Sequence, residues 1–181
     1  MTSYSDAMYQ LMADIIESQS FIFSKHKNIL IIGLDNERQI MEKYPNLNYT
    51  IVDKSNKYQN LGFKCYNFIQ CDLNESFPDL KLKFDLIIGN FILEYIKNKR
   101  KFLTDLEKVL SSSGELILCL WYHNRELNND FKIRLKKFFK KSNLSIYSIE
   151  MIEGKRVKEL SLSPRVLQLQ IKGDKNEKIM G

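Results

Sequence analysis

The chain has 181 residues, 44% of them apolar, and a formal net charge of +6. That length holds one domain with a sizeable core, and that composition excludes a disordered chain. No apolar stretch reaches the roughly 20 residues of a membrane helix. The N-terminus lacks the basic-then-apolar order of a signal peptide. Cys65, Cys71 and Cys119 show no metal-ligand spacing. An odd count without a secretion signal predicts reduced thiols and a cytoplasmic protein. The basic balance permits contact with nucleic acid or an anionic surface without requiring it, and a solvated lysine-rich surface is the simpler reading.

Taken in order, residues 4–23 place Met8, Leu11, Met12, Ile15, Ile16, Ile22 and Phe23 at helical spacing. This predicts a helix packed on the domain edge or closing a pocket. Ile29 to Ile32 is a continuous apolar run, as for a central parallel strand covered on both faces. A turn at Gly33, a short helix over 37–44 stopping before Pro45, and a strand over 49–52 come next. Residues 55–61 read as a helix ending at Gly62, 64–69 as a third strand, and 70–83 as a polar connection containing Pro78.

A fourth buried strand covers 84–88, with Leu93 and Ile96 in a turn or short helix after it. Phe102, Leu103, Leu106, Val109 and Leu110 mark one helix face, which Ser111 to Gly114 breaks before a fifth strand over 115–121. Leu127, Phe131, Leu135, Phe138 and Phe139 line a further helix. Its other face carries Lys132, Arg134, Lys136, Lys137, Lys140 and Lys141. Two strands, 144–152 and 166–171, close the chain with no helix between them. The fold class is therefore α/β: a Rossmann-like doubly wound sheet of about seven strands, mostly parallel, with an antiparallel C-terminal hairpin. The expected organisation is an N-terminal helix over 1–24, one domain over 25–172 and a flexible tail over 173–181.

The functional signal lies in 28–53, NILIIGLDNERQIMEKYPNLNYTIVD. An apolar strand, a glycine turn, a helix and an acid 20 positions after Gly33 form a ribose-binding layout. The helix amides would face the ligand, and Asp53 would accept hydrogen bonds from ribose hydroxyls. Asp53 equally suits a cap on the next helix. Asp35 and Glu37 stand where such turns hold further glycines.

Further motifs extend the pattern. FDLIIGNFILEYI (84–96), FLTDLEKVLSSSGELILCLW (102–121) and QCDLNESFP (70–78) occur in one order with the glycine turn. In that order and content the chain resembles the class I S-adenosylmethionine-dependent methyltransferases of small-molecule type, over about residues 25–172. The resemblance implies S-adenosylmethionine as cofactor. By position, Gly33 would be the first glycine of the cofactor loop, and Asp53 would hold the ribose. Asp72 would meet the adenine amino group with Cys71 beside the ring. Asn90 would sit near the methionine part and the substrate. The departures fall in the first motif: Ile31 stands where the family has an acid, and Asp35 and Glu37 replace glycines.

Each candidate has a structural alternative. Asp72 can bond its own turn, and Asn90 can cap the next one. Tyr122 and His123 come after the fifth strand at the ligand edge, where a histidine can serve as a general base or simply face solvent. Glu94 can act as a base or lie on a helix surface. His26 precedes the first strand, at the opposite edge. No metal site is expected.

Two functions are compatible with this pattern. One is methyl transfer to a small-molecule acceptor, which needs positioning rather than a catalytic dyad. The other is a catalytically inactive methyltransferase-like scaffold or partner subunit, with a protein partner or a second copy of the chain. A nicotinamide dinucleotide enzyme is a weaker third, because the turn suits a pyrophosphate poorly. No membrane is involved. At the turn, a cofactor carboxylate would be repelled by Asp35 and Glu37, whereas its ammonium would be attracted to Asp35. Repulsion is the favoured expectation, so glycine at both positions should strengthen binding.

Overall fold

The computed structural model describes residues 4–63, 66–124, 126–154 and 163–173. The elements are α1 (Tyr4–Phe23), β1 (Asn28–Ile32), α2 (Arg38–Lys43), β2 (Asn48–Asp53), β3 (Tyr66–Gln70), β4 (Phe84–Asn90), α3 (Lys99–Val109), β5 (Leu110–Trp121), α4 (Asn129–Lys140), β6 (Leu144–Glu153) and β7 (Arg165–Gly173). Short 3₁₀ turns cover Asn56–Tyr58 and Ile92–Glu94.

One sheet holds all seven strands in the order β3-β2-β1-β4-β5-β7-β6. β1 pairs in parallel with β2 and β4, β2 with β3, and β4 with β5. The alternation of side chains along β1 divides the core in two. Ile29 and Ile31 pack with Ile16, Phe23, Ile40 and Met41 of α1 and α2. Leu30 and Ile32 pack with Phe102, Leu103 and Leu106 of α3 and Phe139 of α4. Helices thus cover both faces, which is why β1 reads as an unbroken apolar run. The chain winds outward from β1 to β3, then returns to β4 and winds the other way. That reversal opens a crevice at the carboxyl ends of β1 and β4.

The C-terminal hairpin is present, with its second strand placed inward. β7 lies between β5 and β6 and is antiparallel to both. It needs burial on both faces, and Val166, Leu167, Leu169 and Ile171 are fully buried, whereas β6 at the edge alternates.

Two local expectations change. Of residues 55–61 only Asn56–Tyr58 are helical, as a single 3₁₀ turn capped by Ser55, whose Oγ accepts from the Lys57 N–H. No residue of that turn is buried, so no apolar stripe supports a longer helix. β5 begins at Leu110 rather than at 115: Ser111 to Gly114 continue the strand as an irregularity. Pairing jumps from Phe84↔Leu110 to Leu86↔Glu115. A Cβ at Gly114 would lie 2.8 Å from the Phe84 carbonyl oxygen, so a side chain there requires the strand to move. Residues 64 and 65, at the expected start of the third strand, and residues 174–181 of the expected tail lie outside the described residues.

Candidate functional site

The carboxyl ends of the parallel strands converge on two cavities. The larger, about 400 Å³, is lined by Gly33, Leu34, Asp35, Asn36 and Glu37 after β1, and by Asp53 at the end of β2. Asn90, Phe91, Ile92 and Tyr95 after β4, Trp121 at the end of β5, and Met12, Ile15 and Ile16 from α1 complete it. The smaller, about 330 Å³, lies between the ends of β1, β2 and β3, with Val52, Asp53, Cys71, Asp72, Leu73, Asn74 and Ile96 among its walls. Gly33, Asp53, Ile92 and Tyr95 line both. Both volumes fall in the size range of small-ligand sites.

Gly33 has φ of +72°, a left-handed backbone that favours glycine. Its N–H donates to the Val52 carbonyl at 2.9 Å, tying the turn to β2. Asp53 fastens the same turn. Its Oδ2 accepts from the Leu34 N–H (2.9 Å) and its Oδ1 from the Ser55 N–H (2.7 Å). A carboxylate offers about four acceptor sites, so both oxygens keep capacity for a ligand hydroxyl. Asp72 accepts from the Asn74 N–H at 3.0 Å and pairs with Lys54 at 2.7 Å. The Lys54 hydrogen bond holds its carboxyl below the usual range. The Cys71 thiol donates to the Ser76 carbonyl.

The two acids of the turn separate. Asp35 is exposed, whereas Glu37 is 2% exposed. Glu37 Oε2 accepts from the Asp35 N–H at 2.9 Å, and its Oε1 accepts from Asn90 Nδ2 at 2.5 Å. Burial pushes the Glu37 carboxyl above its ordinary value of 4.5; the hydrogen bonds pull the other way, and Asp35's charge adds to the rise. The folded protein therefore holds this proton to higher pH than the unfolded chain does. Its contribution to stability is complete below about pH 4.5 and is lost as pH rises through the elevated folded value. Glu37→Gln should accordingly gain stability relative to wild type as pH rises above 4.5. Thermal melts of both proteins from about pH 4 to 8 would check this, and parallel curves would refute it.

Asn90 does not cap the following turn; that position is Phe91. Its amide forms a reciprocal pair with Gln19 of α1: Gln19 Nε2 donates to Asn90 Oδ1 (2.9 Å), and Asn90 Nδ2 donates to Gln19 Oε1 (3.1 Å). Turning the Asn90 amide over would point its oxygen at the Glu37 carboxylate, so Glu37 fixes its orientation. Gln19 also donates to Gln168 Oε1 of β7 at 3.3 Å, and Ser18 Oγ donates to the same oxygen at 3.1 Å. A buried polar chain thus runs from the turn after β1 through β4 to α1 and β7. Sequence reasoning missed Gln19; its only signal was a polar side chain on the buried face of a helix.

Phe91 adopts φ of +59°, rare for a bulky residue. This turns its ring onto Trp121, stacked at 4.5 Å between centroids. Glu94 is engaged structurally, its Oε1 accepting from the Trp121 N–H at 2.9 Å. Tyr122 and His123 line neither cavity. The Tyr122 ring is buried beside Phe131, and its hydroxyl donates to the Glu126 carbonyl; His123 is exposed. His26 lies 3.7 Å from Glu115 at the opposite edge of the sheet. The basic side chains of α4 contribute to neither cavity. Among the described residues no group of His, Cys, Asp and Glu could hold a metal ion.

A doubly wound sheet in this strand order, with a glycine turn after β1 and acids at or just after the ends of β2 and β3, defines a protein of class I methyltransferase fold. A family model described as a methyltransferase domain matches residues 19–172, and the chain belongs to that family. No curated protein sequence matches it. Among solved structures it is similar to an S-adenosylmethionine-dependent methyltransferase from Clostridium acetobutylicum (TM-score 0.60, 17% identity, 91% of this chain and 92% of that one). It is also similar to the N-methyltransferase NodS from Bradyrhizobium japonicum, in complex with S-adenosyl-L-homocysteine (TM-score 0.58, 16% identity, 82% and 78%). A third is the O-methyltransferase from a trans-AT PKS multienzyme of Brevibacillus brevis, in complex with S-adenosyl-L-homocysteine (TM-score 0.60, 15% identity, 87% and 71%). At these identities the likeness is one of fold.

Proposed function

We propose that the chain is an active S-adenosylmethionine-dependent methyltransferase that modifies a small-molecule acceptor. The observation that carries this reading is the pair of cavities sharing Gly33 and Asp53 at the carboxyl edge of the sheet. The residues fit the cofactor's adenosine half. Ribose hydroxyls would donate to the free lone pairs of Asp53. The adenine would lie among Cys71, Leu73 and Ile96, with Asp72 at its amino group. The methionine half and the acceptor would share the larger cavity.

S-adenosylmethionine supplies an electrophilic methyl group when bound. The chain's own work is then to align the acceptor, exclude water and shape the pocket. Methylating a hydroxyl or amine breaks the sulfur–methyl bond and releases a proton; Tyr122 and His123 line neither cavity, so that proton would pass to a cavity carboxylate such as Asp35 or to water. Met12, Ile15, Ile16, Phe91 and Trp121 make much of the larger cavity apolar. That wall favours a small apolar or aromatic acceptor carrying a hydroxyl or an amine. Among the described residues no helix is long and apolar enough to cross a membrane. The inactive-scaffold reading depended on both acids blocking the turn, yet Glu37 turns inward to Asn90 and the cavity beside it stays open.

Calorimetric titration with S-adenosylmethionine and with S-adenosylhomocysteine tests the proposal. Trp121, the only tryptophan, lines the larger cavity, and its emission should change in step with the heat. Absence of heat with both ligands would sink the cofactor assignment. Heat without a spectral change would move the ligand away from Trp121.

A further inference from the structure

We propose that Glu37 is a receptor for a positively charged group in the larger cavity, and that this group is the primary ammonium at the amino-acid end of the cofactor. The inference rests on the cofactor reading above and adds a residue and a ligand orientation to it.

Glu37 is a buried acid whose ionised form, which burial disfavours in the ligand-free protein, has as hydrogen-bond partners only the neutral donors Asp35 N–H and Asn90 Nδ2, so a bound cation would stabilise it. Among the described residues no Lys, Arg or His forms an ion pair with it. Buried charges are ordinarily paired, because desolvation costs several kcal/mol or more per ion. Here the neighbouring charge is Asp35, of the same sign. The charged side chains lining the larger cavity are Asp35, Glu37 and Asp53, all acids. Apolar walls lower the local dielectric and strengthen that negative field. A cation entering the cavity therefore supplies the charged partner that Glu37 lacks among the described residues, and an anion meets no positively charged side chain in the cavity wall.

This charge pattern sets the ligand's orientation. The amino-acid end of the cofactor carries one ammonium and one carboxylate. The ammonium turns inward to Glu37, which keeps unused lone pairs on both oxygens, and the carboxylate turns towards solvent. Asn90 is the positioning residue: its bond to Oε1 holds the Glu37 carboxylate, and Gln19 holds Asn90. This reverses the expectation from sequence. Glycine at both 35 and 37 should weaken cofactor binding, because it deletes a receptor rather than an obstacle.

The test compares S-adenosylhomocysteine with 5′-methylthioadenosine, which has the same nucleoside and thioether but no amino-acid end. Both are titrated calorimetrically into wild type, Glu37→Gln and Glu37→Asp. Glu37→Gln keeps the size of the side chain and removes its charge. It should lose about 10- to 100-fold in affinity for S-adenosylhomocysteine, and its affinity for 5′-methylthioadenosine should be unchanged. Glu37→Asp keeps the charge and should preserve the preference for S-adenosylhomocysteine, which covers the case in which glutamine disturbs the fold. Equal losses for both ligands, or tighter S-adenosylhomocysteine binding by Glu37→Gln, would overturn the inference while leaving the cofactor reading standing. Failure of both ligands to bind wild type would overturn the cofactor reading and this inference with it.

Discussion

Asp53→Ala is expected to weaken every adenosine-containing ligand by about 1.5–3 kcal/mol, roughly 10- to 150-fold in affinity. Two effects combine. The ribose loses its charged acceptor, and the turn after β1 loses the bond from the Leu34 N–H to Asp53 Oδ2 that shapes it. The fold should survive, because Leu34 lines a cavity that water can enter and Ser55 is exposed, so water can take up both released amides. The stability cost should stay near 1 kcal/mol. Calorimetry with 5′-methylthioadenosine separates this site from Glu37: Asp53→Ala should impair that ligand and Glu37→Gln should not. Unchanged affinity in Asp53→Ala would remove Asp53 from the binding site and leave it as a turn fastener alone.

Gln19→Ala carries the largest expected cost in stability. Gln19 is fully buried and connects α1 to Asn90, Cys119 and Gln168. Truncation leaves Asn90 Oδ1 without that donor and opens a void between α1 and the sheet. Each stranded buried polar group costs about 1–3 kcal/mol, so a total on the order of 3 kcal/mol is expected. Urea unfolding measures it as a lowered midpoint at constant slope. The variant should also bind S-adenosylhomocysteine less well, since Asn90 then lacks the partner that holds it towards Glu37. A loss below about 0.5 kcal/mol, typical of an uninvolved surface position, would mean that α1 does not dock through this network.

The features readable from the sequence were those that local pattern encodes. The run Ile29 to Ile32 announced a strand covered on both faces, and the spacing of Leu11, Ile15 and Ile16 announced the buried face of α1. Gly33 marked a turn whose φ of +72° a side chain would strain. Asp53 stood at the end of a strand, in reach of the cavity that such a turn creates. Each of these depends on neighbours within a few residues, so periodicity and turn chemistry suffice. The hairpin over β6 and β7 was legible for the same reason, as two apolar runs with no helical stretch between them.

Tertiary structure decided the matters that depend on residues far apart in the chain. Asp35 and Glu37 look alike in sequence, two acids two positions apart, yet one faces solvent and the other is buried. Glu37 meets Asn90 across 53 positions, and Asn90 meets Gln19 across 71. No local pattern sets such contacts; the order of strands in the sheet does. The same holds for β7, which enters between β5 and β6 because only that slot buries both of its faces. It holds for Tyr122 too, which ends up against Phe131 of α4 rather than in the cavity. Strand succession brought the elements to one edge, and long-range packing then chose which acid would be solvated and which would be left buried with no cationic partner among the described residues.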